Sequence, residues 1–348
     1  MKKLLFLSNG HGEDLVAAEI IKRLPSAYSI KVFPLVGEGL IFEKLPVEII
    51  GSRKKLPSGG FSFRNLPSLP RDLFSGLLGN LRSHWDTLNQ QKGQLDLSIA
   101  IGDLIPLLGA QIVRAPFVFI GVNKSAYYST FGYNYIPWEI WLIGRARKIY
   151  TRDKITAEAL VKKGLTAQYL GNPLMDCIGI PRLVSHNRRI GFLPGTREED
   201  LRQNLADFEK IADELLKFDR HLKFLLASPQ PLPRFEVHPF EDVIYGSEII
   251  IGLSGTGNEQ AAGIGRPVIS FPGRGFQYNA RFARAQKELL GEALSLMPRE
   301  PLKVAEEVWS LLNDQNRYQY MANTGKTRMG EAGAIENISQ EIINLQNE

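Results

Sequence analysis

The sequence predicts an α/β protein of two domains, each built on a parallel sheet. Three observations carry this. Apolar runs of strand length alternate with stretches of helical periodicity, the pattern of strand–helix–strand units whose crossovers make the strands parallel. A strand running into a glycine turn and then a helix occurs twice, at Leu4 and again at Arg189. The length, 348 residues, suffices for two cores.

In the first half, Leu4 to Leu7 reads as a buried strand that enters the turn Ser8-Asn9-Gly10-His11-Gly12. A helix follows, with Leu15, Val16, Ile20, Ile21 and Leu24 on one face. The apolar start after Lys2 and Lys3 is too short for a signal sequence and is read as that first strand. Further strands are expected at 29–33, 97–101, 116–121, 148–151 and 167–169. In the second half, Arg189 to Leu193 enters the turn Pro194-Gly195-Thr196-Arg197. The next helix shows Leu201, Leu205, Phe208, Ile211, Leu215 and Leu216 on one face. Strands are expected at 223–227, 249–252 and 268–271. The segment from Asn172 to Asn187 reads as the connector. The domains are set at 1–175 and 176–330, with an amphipathic C-terminal helix in 331–348. In such sheets, sites lie at the carboxyl ends of the strands.

Composition is that of an ordinary soluble domain, 44% hydrophobic and 23% charged, which excludes disorder and solenoids. A net charge of +5 is too mild for a nucleic-acid binder and fits an anionic ligand or an anionic membrane surface. Cys177 is the only cysteine, so an internal disulfide and a cysteine metal cluster are excluded, and a reducing, cytoplasmic setting is expected. No run has the length of a membrane-spanning helix, and no spacing suggests a metal site.

Two stretches interrupt the pattern. Between Gly51 and Arg82 lie six basic residues against one acid, Asp72. An apolar stripe follows, with Leu69, Leu73, Phe74, Leu77, Leu78, Leu81, Trp85 and Leu88. It docks on an anionic bilayer or faces a core under a solvated loop. The second stretch is aromatic, from Tyr127 to Trp141, and ends in Arg145, Arg147 and Lys148. Its rings line a sugar or lipid site, sit at a bilayer interface, or form core.

The strongest binding signal is Ile249-Ile250-Ile251-Gly252-Leu253-Ser254-Gly255-Thr256-Gly257-Asn258-Glu259. Strand, small polar turn and helix start together expose a row of backbone N–H groups suited to a diphosphate. Glu259, a turn later, is placed to take a ribose hydroxyl pair. The alternative is a plain helix capped by Ser254 or Thr256.

Taken in order, the motifs resemble GT-B glycosyltransferases, and more narrowly the lipid-A-disaccharide synthase family in its cyanobacterial and plastid related form. Four segments carry the resemblance: Tyr169 to Asp176, Phe192 to Leu201, Ser254 to Glu259, and Phe276-Gln277-Tyr278-Asn279-Ala280. The last is similar to a motif of the lipid-intermediate N-acetylglucosaminyltransferase of peptidoglycan synthesis. The resemblance implies two facing Rossmann-like domains with an interdomain cleft. It implies a UDP-sugar donor in the C-terminal domain, with Gly195, Thr196, Arg197, Ser254, Gly255 and Thr256 at the diphosphate. Gln277 and Asn279 then reach the sugar or ribose, with Glu259 beside them, and no cofactor is implied. Arg197, just past a strand end, can pair with phosphate oxygens as charge builds on the leaving group.

The first turn is no phosphate loop, because Glu13 and Asp14 occupy the helix start where an anion would sit. It is assigned to the acceptor side. Sugar transfer with inversion needs a base for the acceptor hydroxyl. His11 is the first candidate, since imidazole titrates near neutrality; Asp14 is the second. Asp103, ending the strand Leu97 to Gly102, is the third, at a place where the family carries a cluster of aspartates that is only partly present here. The expected activity is transfer of an N-acetylglucosamine-type sugar from a UDP-sugar to a lipid or lipid-linked acceptor, at the cytoplasmic face of a membrane. The rivals are a UDP-sugar 2-epimerase, which a richer set of acid and base groups would favour, and a non-catalytic sugar-nucleotide-binding protein.

Overall fold

Two parallel sheets organise the computed structural model, which describes residues 1–51, 77–130, 134–183, 188–195, 198–275 and 278–347. The chain divides into two units, the first formed by Met1–Cys177 together with a return segment from Ala332, the second by Ile178–Glu331.

In the first unit the strands are β1 (Lys3–Ser8), β2 (Ser29–Pro34), β3 (Glu48–Ile49), β4 (Leu97–Gly102), β5 (Phe117–Gly121), β6 (Lys148–Thr151) and β7 (Ala167–Gln168). They lie in the order β3-β2-β1-β4-β5-β6-β7, all parallel. The helices are α1 (His11–Ile21), α2 (Leu77–Gln90), α3 (Leu104–Val113), α4 (Pro137–Ile143), α5 (Lys154–Val161) and the short α6 (Pro173–Asp176). Alternation along β1 shows how the sheet is sandwiched. Leu4 and Phe6 pack with Val16, Ala17 and Ile20 of α1 on one face. Leu5 and Leu7 pack with Leu88, Leu107, Ala110 and Ile140 on the other, so α2, α3 and α4 cover that side.

In the second unit the strands are β8 (Arg189–Leu193), β9 (Lys223–Leu226), β10 (Phe235–Val237), β11 (Ile249–Gly252), β12 (Val268–Ser270) and β13 (Leu294–Leu296), ordered β10-β9-β8-β11-β12-β13. Every pairing is again parallel. The helices are α7 (Glu198–Phe218), α8 (Phe240–Gly246), α9 (Gly255–Gly263), α10 (Ala280–Leu290), α11 (Pro301–Leu312) and α12 (Gln315–Met329). The apolar face of α7 (Leu201, Leu205, Phe208, Ile211) meets Phe192 and Phe224 of the sheet and Val304 and Val308 of α11.

Strands β3, β10 and β13 have no counterpart in the sequence reading. They are two or three residues long and lie at sheet edges, too short to show a period. The connector expected from Asn172 also differs. Pro173–Asp176 is helix, capped by Asn172, whose Oδ1 accepts the Leu174 N–H at 3.1 Å. The chain leaves the first unit only after Cys177.

The return segment explains the Asn172-to-Asp176 motif. Helix α13 (Ala334–Asn347) lays Ile335, Ile338 and Ile342 into the core beneath α1. Its start is held by Asp176, whose Oδ1 accepts the Gly333 N–H at 2.5 Å and Oδ2 the Ile335 N–H at 2.9 Å. One carboxylate thus ties the point where the chain leaves the unit to the point where it returns. Asp176→Ala leaves these first-turn donors without their acceptor and is expected to lower stability by about 1–3 kcal/mol, read by urea unfolding. Asp176→Asn, which keeps one acceptor oxygen, should lose less.

Candidate functional site

Among the described residues each sheet reverses its strand order once. In the first unit the chain runs outward from β1 to β2 and β3, then starts again at β4 on the other side. In the second it runs from β8 to β9 and β10, then restarts at β11. Right-handed crossovers send the flanking helices to opposite faces, and in α/β folds ligands bind outside the carboxyl ends of the strands at such a reversal.

At the β1/β4 reversal the structure gathers Ser8, Asn9, Glu13, Asp14 and Asp103. Asp103 caps α3, accepting the Ile105 N–H at 3.4 Å, and also accepts the Asn9 Nδ2–H at 2.6 Å. Gly102 has φ +128°, and a Cβ there would come within 3.3 Å of both Asn9 and Glu13, so a bare backbone is what lets the two turns close on each other. Asp14 is buried and takes a 2.5 Å hydrogen bond from the Ser8 hydroxyl. Glu13, also buried, accepts from the side-chain amide of Asn123, two residues beyond β5. The loop carrying Asn123 is firmly pinned: Lys124 forms a buried pair with Glu139, at 2.6 and 2.7 Å, and Arg152 donates to Val122 O at 3.1 Å.

Burial pushes both Glu13 and Asp14 up to about 7, opposed for Glu13 by the Asn123 hydrogen bond and reinforced by Asp103 and Asp14, and opposed for Asp14 by Ser8. The sequence reading set these two acids at the helix end as dipole partners. The structure instead turns them inward, where desolvation governs them. His11, the first residue of α1, is exposed. Glu13, Asn9 and Asn123 were not singled out as site residues. The signal for Asn123 was its place directly after the apolar run 117–122.

At the β8/β11 reversal, Gly195 adopts φ +84°, and a Cβ on it would meet Leu253 O at 3.1 Å, so the two turns touch through backbone. Ser254 is the cap of α9, its Oγ accepting the Gly257 N–H at 3.3 Å. Thr256 lies exposed in the first turn. The N–H groups of Gly255 and Thr256 have no intrahelical acceptor, as at any helix start. Glu259 is buried and accepts from Gln286 at 3.0 Å. Asn279 caps α10, accepting the Phe282 N–H at 3.0 Å. Buried Tyr278, one residue earlier, meets Asn258 Nδ2 at 3.0 Å and Ser270 Oγ at 2.9 Å. The reversal thus brings together Gly195, Ser254, Gly255 and Thr256, with Glu259 on the same helix and Asn279 anchored through Tyr278. Thr196, Arg197 and Gln277 lie outside the described residues.

The aromatic stretch divides. Tyr128 and Tyr135 are core, while Trp138 and Trp141 stand 46% and 61% exposed on α4. Arg145 stacks over Trp141 at 4.2 Å, and Trp85 on α2 and Leu108 on α3 are exposed on the same helical layer. Residues 52–76 of the basic and apolar stretch lie outside the described residues. Among the described residues no helix is long and apolar enough to cross a membrane, and no group of three or more His, Cys, Asp or Glu is placed to hold a metal ion.

No protein-family model matches the chain, and no curated protein matches it in sequence. Solved structures do. A Listeria monocytogenes protein assigned as UDP-N-acetylglucosamine 2-epimerase superposes with a TM-score of 0.68 at 15% identity, covering 100% of this chain and 97% of that one. CalG4, the calicheamicin glycosyltransferase, gives 0.65 at 15% identity over 100% and 99% of the two chains. The UDP-N-acetylglucosamine 2-epimerase of Neisseria meningitidis, solved with UDP-N-acetylglucosamine bound, gives 0.63 at 15% identity over 98% and 100%. The fold is of the GT-B type, two Rossmann-like α/β units with parallel sheets.

The raised carboxyls fix how stability should respond to pH. Between the ordinary carboxylate range and about 7, the folded protein holds protons at Glu13 and Asp14 that the unfolded chain has released. Stability therefore falls as pH rises through that window and levels off above it. Glu13→Gln removes one of the two groups. It should gain about 1–3 kcal/mol relative to the parent between pH 5 and pH 8, compared by urea unfolding at the two values.

Proposed function

We propose that this chain is a sugar-nucleotide glycosyltransferase. It moves an N-acetylglucosamine-type group from a UDP-sugar to a lipid or lipid-linked acceptor, as a lipid-A-disaccharide-synthase-like enzyme at the cytoplasmic face of a membrane. The observation that carries the reading is that Asp14 and Asp103 in the first unit, and Gly195, Ser254, Gly255 and Thr256 in the second, follow the strands at which their own sheets reverse order, where α/β folds bind ligands. The names of the structural neighbours, sugar-nucleotide epimerases and a glycosyltransferase, support a sugar nucleotide.

In this reading the second unit holds the donor. The diphosphate takes the N–H groups of Gly255 and Thr256 and the side chains of Thr196 and Arg197, while Glu259 serves the ribose and Gln277 and Asn279 the sugar. The first unit serves the acceptor. An acceptor hydroxyl oxygen bonds to the anomeric carbon, the sugar–diphosphate bond breaks with its electron pair on the phosphate oxygen, and the hydroxyl proton passes to His11. Asp14 and Asp103 hold the turn beside it. Calorimetric titration should give micromolar UDP binding that Arg197→Ala and Thr256→Ala each weaken at least tenfold. A folded parent that ignores UDP would sink the donor assignment.

The exposed layer of α2, α3 and α4 supports a lipid acceptor. Its Trp85, Leu108, Trp138 and Trp141 accompany exposed Arg82, Arg114 and Arg145 against the acid Asp86, the pairing of rings and cations that suits an anionic bilayer surface. Sedimentation with phosphatidylglycerol vesicles should carry the protein down, and Trp138→Ala with Trp141→Ala should abolish this. Equal recovery with phosphatidylcholine alone would argue against the charge component.

The buried carboxyls Glu13 and Asp14 favour a second reading, a UDP-sugar 2-epimerase, because moving a proton off and onto a sugar carbon needs an acid and a base titrating near neutrality. Incubation with UDP-N-acetylglucosamine in D2O separates the two. Deuterium at C2 without an acceptor marks the epimerase, and UDP release only with lipid marks the transferase. Binding with neither leaves a non-catalytic sugar-nucleotide protein.

A further inference from the structure

Two buried carboxamides in the second unit repeat one arrangement. Asn204, on α7, is 2% exposed and donates its Nδ2–H to Pro194 O, just past β8, at 2.8 Å. Asn258, on α9, is fully buried and donates to Gly252 O, at the end of β11, at 3.2 Å. In each case a helix reaches back to the strand-end carbonyl of the turn that leads into it. Each amide leaves its own Oδ1 without a hydrogen-bond partner, and burying an unpaired acceptor is costly. Turning the amide over would set oxygen against oxygen, so the carbonyl dictates the orientation. The fit is close: a Cβ at Gly252 would lie 1.8 Å from Asn258 Oδ1. Gly252 O is further occupied by Ser270 Oγ at 2.6 Å.

We infer that Asn204 and Asn258 are positioning residues for a diphosphate. Each draws a strand-end carbonyl into the protein, so that the anion meets the N–H groups at the start of α9 and not the carbonyl oxygens of Pro194 and Gly252. A carbonyl facing a diphosphate repels it, and in a site of low dielectric that repulsion is strong. The same two bonds fix the turns at Gly195 and Ser254, which already meet through Leu253 O. Neither residue touches the ligand. The inference rests on the sugar-nucleotide reading of this unit but adds two residues that the motif comparison did not assign.

The test uses the full chain with Asn204→Leu and Asn258→Leu, which keep side-chain shape and charge but remove the donor to the carbonyl. Titration with UDP, inorganic pyrophosphate and uridine, beside melting curves, gives the readout. The expected result is a tenfold or greater loss for UDP and pyrophosphate, with uridine affinity within twofold of the parent. Parallel loss of all three ligands would mean a general structural role and would overturn the inference, as would unchanged UDP affinity. A parent that binds uridine but neither UDP nor pyrophosphate removes the diphosphate reading itself, and this inference with it. Should a leucine variant not fold, serine and alanine at the same position replace it. The serine hydroxyl can still reach a carbonyl through a water, so retention of UDP affinity by serine over alanine supports the role, and equal affinity overturns it.

Discussion

A right-handed crossover can leave a parallel strand toward only one face of the sheet. When successive crossovers run in opposite directions along a sheet, their helices must therefore lie on opposite faces, and the loops between them separate. This handedness constraint does more than any side chain to decide where the molecule can bind. It places the ends of β1 and β4 in one unit, and of β8 and β11 in the other, where the strand order of the two sheets reverses. Everything that makes those positions chemically interesting is then a matter of which residues follow the strands.

The two reversals carry different chemical groups. After β1 and β4 come carboxyls, and Glu13 and Asp14 are buried deeply enough that ionising them is unfavourable below about pH 7. A phosphate there would add a further negative charge to a desolvated acidic cluster. After β8 and β11 come glycines, hydroxyls and helix-start N–H groups, and the nearby carbonyls of Pro194 and Gly252 are occupied by amide donors. In the proposed reading the anion falls to the second unit, beside the helix-start N–H groups of α9, and the proton-exchanging group to the first, beside the desolvated carboxyls.

Much of this was legible in the sequence, for identifiable reasons. Strands β1, β4, β5, β8 and β11 are mostly apolar and buried because both faces of each are covered, and each runs into a turn marked by glycine or a polar residue. The turn from Gly252 to Glu259 was recognised by its small residues, and Ser254 proves to be its cap. What stayed hidden is what depends on tertiary contact. The edge strands β3, β10 and β13 are set by their neighbours and are too short to carry a period. The inward turn of Glu13 depends on Asn123, 110 residues away. The tie between Asp176 and Gly333 spans 157 residues and is invisible to any local pattern.

The buried amides show why such contacts matter at a site assembled from turns. A βα turn of small residues has little to hold its shape, because it lacks the side chains that would pack. Rigidity has to come from outside the turn, and a carboxamide on the following helix is well suited to provide it. It is neutral, so burial costs less than for a charge, and its N–H can be aimed at one carbonyl. A lysine in the same place would offer a donor, but also an uncompensated buried charge. Asn204 and Asn258 leave the net charge of the turns unchanged while removing two carbonyl oxygens from the space above them, so the field that an anion meets there is set by the helix-start N–H groups of α9 alone among the described backbone of that turn.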